Sequence, residues 1–232
     1  MTSWARRGDG GLRIRIADTE VVARPSGALW VEGEGALIVA DLHFEKGSAF
    51  AARGQLLPPY DTGETLTRLE AEVEALGPSL IIFLGDALHD VGAEERLCAA
   101  DAGRISALAF RRTLVWIAGN HDPAGPRRLP GEIVATLALN GLRLVHEPTT
   151  RPAVGEVAGH LHPCAKIAGA GGRRRCFVTD GERLLLPAFG AYAGGLNVRD
   201  PAIRSLMGET KLAVVLGQGR VHPIPWRALR PD

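Results

Sequence analysis

Five of the seven histidines in this 232-residue chain fall in short polar stretches, and each stretch follows an apolar run. Leu37-Ile38-Val39-Ala40 precedes Asp41-Leu42-His43, and Leu80-Ile81-Ile82-Phe83-Leu84 precedes Gly85-Asp86. Leu114-Val115-Trp116-Ile117-Ala118 leads into Gly119-Asn120-His121-Asp122, and Leu142-Arg143-Leu144-Val145 into His146. Val157-Ala158 precedes Gly159-His160-Leu161-His162. Imidazoles, carboxylates and an amide oxygen together suit manganese, iron or zinc. Cysteine is absent from all five stretches, which argues against a structural zinc site.

The apolar runs read as buried strands that carry these groups. In an α/β sheet the C-terminal strand ends converge on one crevice, so residues distant in sequence can meet there. Gly119 allows a tight turn and close backbone approach. His160 and His162 read as alternate residues of one strand, which would point both at one site. Asp86, following Gly85, has a second reading as a turn residue. His222 reads as a hydrogen-bonded core residue. His89 is a candidate to line the pocket. So are Arg173, Arg174 and Arg175, which follow the glycine-rich turn 169–172 and could grip phosphates. The bland alternative for the arginines is a solvated hairpin tip.

Around these stretches the pattern predicts strands at 12–16, 21–23 and 28–31. A loop with a short helical piece follows over 44–60. Residues 61–76 are the clearest helix, with Asp61 and Glu64 placed as a capping box and Leu66, Leu69, Val73 and Leu76 as its apolar stripe. A second helix is expected over 93–110, burying Leu97, Ile105 and Leu108. Residues 132–138 fit strand or short helix. Further strands are expected at 176–179, 183–186, 212–216 and 221–224, with hairpin turns at Asp180-Gly181 and Gln218-Gly219. Alternating elements early and hairpins late indicate an α/β fold with mixed sheets. The length suits a single domain spanning 1–232.

Composition narrows the function classes. Hydrophobic content of 46% and charged content of 23% are ordinary for a soluble globular protein. A net charge of +1 excludes a global basic field for generic nucleic-acid capture. Cys98, Cys164 and Cys176 are odd in number and form no CxxC pair, which fits a reduced cytoplasmic compartment. Cys164 reads as packed rather than catalytic. No apolar segment follows Arg6 and Arg7 to make a secretory signal, and no run approaches a membrane span.

The blocks Asp41-x-His43, Gly85-Asp86, Gly119-Asn120-His121-Asp122, His146 and Gly159-His160-x-His162, in that order, resemble the calcineurin-like metallophosphoesterase superfamily. The flanks resemble the bacterial ligase-associated DNA damage response endonucleases, the PdeM group, in four places: Ala40-Asp41-Leu42-His43-x-x-Lys46, Leu84-Gly85-Asp86-x-x-His89, Gly159-His160-Leu161-His162-Pro163 and Pro187-Ala188-Phe189-Gly190. The resemblance implies a four-layer sandwich of two mixed sheets flanked by helices. It implies two divalent metal ions, manganese first, with iron or zinc as alternatives. Asp41, His43 and His162 would hold one, Asn120, His146 and His160 the second, and Asp86 would bridge them. His121 would protonate the leaving group, with Asp122 orienting it. Glu45 departs from the expected small residue and bears on the loop's shape alone. The implied activity is hydrolysis of phosphodiesters, with DNA in repair as the first substrate and DNA ligase or helicase repair proteins as partners. A nucleotide phosphodiesterase or phosphomonoesterase is the alternative. A catalytically inactive scaffold is a third reading, which the intact ligand set disfavours.

Overall fold

The computed structural model describes residues 4–150, 153–169, 171–209 and 211–232. The chain opens with β1 (Trp4–Arg6), β2 (Leu12–Ile16), β3 (Thr19–Ala23), β4 (Leu29–Val31) and β5 (Ala36–Val39). Two helices follow, α1 (Lys46–Ala51) and α2 (Asp61–Leu76). Next come β6 (Leu80–Leu84), α3 (Ala93–Arg96), α4 (Ala99–Leu108), β7 (Thr113–Ile117) and β8 (Glu132–Val134). These eight strands form one sheet in sequence order. Its first half is antiparallel, and β5 through β8 run parallel.

The second sheet takes β9 (Leu137–Leu139), β10 (Leu142–Val145), β11 (Glu156–Ala158), β12 (Pro163–Ile167), β13 (Arg173–Thr179), β14 (Arg183–Leu185) and β15 (Leu196–Asn197). After α5 (Pro201–Arg204) it is completed by β16 (Leu212–Leu216), β17 (Val221–Pro225) and β18 (Leu229–Arg230). β10, β11 and β14 are parallel neighbours, and the remaining pairings are mostly antiparallel. Segment 132–138 resolves into two strands, one in each sheet, so it carries the crossover between them.

Strand alternation divides the apolar residues into layers. Ile38, Ala40, Ile82, Leu84, Val115 and Ile117 face the second sheet and pack on residues such as Leu144, Val157 and Leu184. Their alternates, including Leu37, Val39, Ile81, Phe83 and Trp116, face Leu66, Leu69 and Val73 of α2 and Ile105 and Leu108 of α4. Phe83 and Trp116 stack with centroids 3.8 Å apart. The outer face of the second sheet is covered by Val198, Ile203, Met207 and Leu229. The two mixed sheets make the expected α/β sandwich, with a fourth layer reduced to α5 and irregular chain.

Two local expectations change and a third holds. Asp61 does not cap α2; Tyr60 holds the N-cap position without a side-chain bond. The Asp61 carboxylate instead accepts from the Gly47 amide at 2.9 Å, tying α1 to α2. The helix expected over 93–110 breaks at Leu97–Cys98, where the Cys98 sulfur accepts from the Asp101 amide and starts α4. Glu45 adopts φ 66° and accepts from the Ser48 and Thr62 hydroxyls, which shapes the loop entering α1. No helix among the described residues is long and apolar enough to cross a membrane.

Candidate active site

Both sheets present parallel strand ends at the same edge. Asp41 follows β5, Asp86 follows β6 and 119–122 follows β7, while His146 follows β10 and His160 and His162 follow β11. The chain turns sharply there. Asp41, His43, Asp86, His160 and His162 all have φ between 45° and 66°, the left-handed region. Each such residue costs about 1–2 kcal/mol, so the site concentrates strain that the packed sheets must hold.

The side chains gather into two clusters. In one, His43 Nε2 and His162 Nε2 are 3.4 Å apart and His162 Nε2 is 3.3 Å from Asp41 Oδ1. In the other, Asn120 Oδ1 lies 2.9 Å from both His146 Nε2 and His160 Nδ1. Asp86 Oδ1 is 3.4 Å from His146 Nε2. Within each of the sets Asp41, His43, His162 and Asp86, His146, His160, the ligand atoms lie within 4.8 Å of one another, as a metal ion requires. His160 and His162 are not alternate residues of a strand. They occupy the turn between β11 and β12, and its left-handed backbone sends them to different clusters.

Donors and acceptors agree with ligand roles. His146 Nδ1 lies 3.3 Å from the Leu84 carbonyl. A carbonyl accepts only, so Nδ1 carries a proton and Nε2 is the ring atom that faces the cluster. His43 Nδ1 lies 3.5 Å from His89 Nδ1, which orients the His43 ring from behind. Burial and the His162 charge push the His43 imidazole down to about 3, so it is neutral at pH 7 and open as a ligand. Burial works against Asp86, but the His146 hydrogen bond and charge and the His121 amide hold it at about 2. Gly85 (φ 74°) and Gly119 make these approaches possible: a Cβ at Gly85 would overlap the His146 ring, and one at Gly119 would meet Asp86 and the Asp122 carboxylate.

One expected role changes. Asp122 is buried, with Oδ1 accepting from the Gly119 and Asp86 amides at 3.1 Å and Oδ2 from the Leu88 amide at 3.0 Å. Its carboxylate shapes the loops, and it does not orient His121. That task falls to the His89 carbonyl, which accepts from His121 Nδ1 at 2.7 Å. His121 Nε2 then faces the cleft, 3.9 Å from Asp86 Oδ2, on a side chain 40% exposed. The His89 ring is buried and lies 5.3 Å from His121, nearly parallel to it.

The arginine run starts β13, and part of the turn before it, Ala170, lies outside the described residues. Arg173 donates to the Gly195 carbonyl, and Arg175 to those of Ala191 and Ala193. These two guanidiniums therefore fasten the 190–195 loop, and Arg174 is exposed. His222 sits half-buried in β17, apart from both clusters. Cys164 and Cys176 are buried free thiols, and Cys98 is exposed. Sequence reasoning missed Glu94, whose carboxylate accepts from the amides of Arg127, Arg128 and Leu129 and so fixes the proline-rich loop after Asp122.

The family model for calcineurin-like phosphoesterases matches residues 36–183, more than half of the chain. The crystal structure of the Pseudomonas putida nuclease MPE superposes with a TM-score of 0.70 at 26% identity, covering 92% of this chain and all of that one (100%). A phosphoesterase from E. coli, YfcE, aligns at 14% identity over 82% of this chain and 98% of its own, with a TM-score of 0.38. No match was found among curated protein sequences.

Proposed function

We propose that this chain, which belongs to the calcineurin-like phosphoesterase family and is a phosphoester hydrolase, cleaves phosphodiester bonds in DNA with the help of two divalent cations. The observation that carries the reading is the pair of ligand clusters at the shared strand edge. Asp41, His43 and His162 would hold one cation, and Asn120, His146 and His160 the other, with Asp86 serving both. Manganese fits the mixed oxygen and nitrogen donors. When bound, such a pair supplies positive charge that lowers the pKa of a shared water toward ~7 and stabilises the phosphoryl oxygens.

His121 supplies the proton. The His89 carbonyl fixes hydrogen on Nδ1, so Nε2 is the atom that gains a proton and returns it to the leaving alkoxide. Asp122 and Gly119 keep 119–122 in register with Asp86. The DNA substrate is supported by the likeness to the P. putida nuclease, and a role in DNA repair rests on the flanking motifs.

The test is turnover by purified protein with manganese on an aryl phosphodiester, an aryl phosphomonoester and DNA. Cleavage of the diester and of DNA, above the monoester, is expected. Hydrolysis confined to the monoester would contradict the reading.

A further inference from the structure

Both tyrosines of the chain, Tyr60 and Tyr192, stand on loops joined to each other at Pro58, and the second loop is joined to the backbone of the Asp41–His43–His162 cluster. Tyr192 stands on a loop pinned at both ends to that cluster's own backbone. The Gly190 amide donates to the Asp41 carbonyl at 3.1 Å, and the Leu196 amide to the His162 carbonyl at 3.1 Å. Arg175 braces the loop from below through the carbonyls on either side of Tyr192. The Tyr192 hydroxyl donates to the Pro58 carbonyl at 2.7 Å, and the Tyr60 amide donates to the same oxygen at 2.9 Å. The two residues are thus held as neighbours, with Tyr60 69% exposed and Leu56, 87% exposed, on the same loop.

The surface beside the tyrosines is cationic on the metal side. Lys46 follows His43 by three residues at the start of α1 and is half-buried. Its ammonium lies 5.9 Å from the Phe50 ring centre, and that ring is 6.1 Å from the His89 ring behind His43, which places the ammonium next to the cleft. Burial, the largest influence, and the Arg175 charge hold Lys46 below its ordinary value against the opposing pull of the Asp61 carboxylate. Glu64 lies exposed on the tyrosine side, so a phosphate is favoured toward Lys46 and not toward Glu64. An exposed aromatic ring beside a half-buried one, near a cation, suits a nucleotide with an unpaired base, because every base offers a π-face.

We propose that Tyr60 and Tyr192 form a stacking platform for one base of the polynucleotide substrate, with Lys46 holding the phosphate that joins this base to the scissile bond. The inference rests on the reading of the site as a polynucleotide phosphodiesterase. It assigns the base next to the cut to the Asp41–His43–His162 side of the cleft.

The test compares Tyr60→Ala and Tyr192→Ala with Tyr60→Phe and Tyr192→Phe. Steady-state kinetics are measured with manganese on a single-stranded oligodeoxynucleotide, on the same oligomer carrying abasic positions, and on bis-nitrophenyl phosphate. The alanine variants are expected to raise KM for the oligonucleotide by roughly tenfold more than for the aryl diester, while the phenylalanine variants, which keep the ring, recover most of that loss. The penalty should shrink on the abasic oligomer. Equal losses on oligonucleotide and aryl diester would overturn the proposal, since the rings would then be supporting the metal loop. Alanine variants that bind the oligonucleotide like the wild type would also overturn it and leave this face to a protein partner or to water. Wild-type protein that cleaves the aryl diester and no oligonucleotide would remove the polynucleotide reading and the platform with it, whereas failure on both would remove the phosphodiesterase reading itself.

Discussion

The His121 ring is defined by what holds its far side. Because a backbone carbonyl accepts the hydrogen bond from Nδ1–H, the ring presents one nitrogen to the cleft and needs no carboxylate partner. His121→Ala should keep the ligand clusters and lower turnover roughly 10²- to 10⁴-fold on substrates with poor leaving groups. The loss should be smaller for a nitrophenolate leaving group, which needs no proton. Rates on a matched series of leaving groups check this, and an equal loss across the series would count against the acid role. Asp122 belongs to a different class of effect. Burial, the largest influence, pushes its carboxyl up to about 6 even though the Leu88 and Gly119 amides pull it down. Asp122→Ala would strip acceptors from three buried amides, at about 1–3 kcal/mol for each group left unsatisfied. Thermal denaturation of the metal-free protein should show the drop. An unchanged midpoint would mean that water replaces the carboxylate at no cost. The clustering of these side chains was legible in the sequence because each polar stretch follows an apolar run. The partners of His121 and Asp122 were not, since backbone carbonyls and amides leave no mark in the residue code.

Helices and loops decide how open the cleft is. Glu94 gathers three successive amides of the 127–129 segment, and Asp90 receives the Arg96 guanidinium through both carboxylate oxygens. These bonds fix the loops on either side of His121. Glu94→Ala should raise amide hydrogen exchange at 127–129 while leaving β6 and β7 protected. Unchanged exchange at those three amides would show that the prolines alone hold the loop. At this scale periodicity read α2 correctly from end to end, because its stripe of Leu66, Leu69 and Val73 is one continuous buried face. It failed at 93–110, where a sulfur cap at Cys98 splits the helix, since cysteine is rarely read as an N-cap. It failed again at His160 and His162. A polar turn of residues with positive φ looks like strand alternation until the backbone is seen. For 132–138 the sequence offered no period at all, because three residues serve each sheet in turn.

The whole molecule is a frame that forces two sheets to end at one edge. Burial between the sheets is supplemented by the Arg183–Glu156 pair at 3.0 Å, buried within the second sheet. Breaking such a pair by Glu156→Ala should cost about 3–5 kcal/mol, seen as a lower denaturation midpoint. A change below about 1 kcal/mol would place that pair with surface ion pairs, contrary to its burial. The sandwich class was legible because the sequence carries both kinds of strand run, buried runs that lead into polar stretches and runs joined by hairpin turns. The thin fourth layer was not, because α5 is four residues long and carries no period.

The account stands on the seven proposed ligand side chains acting together as a cation-dependent centre for phosphodiesters. The most direct measurement is the initial rate on an aryl phosphodiester as manganese is returned to chelator-treated protein, for the wild type and for Asp86→Asn. The account predicts no turnover without the cation, recovery on its return, and weak or absent recovery in Asp86→Asn, because that carboxylate would serve both clusters. Turnover that survives chelation, or full recovery in Asp86→Asn, would contradict it.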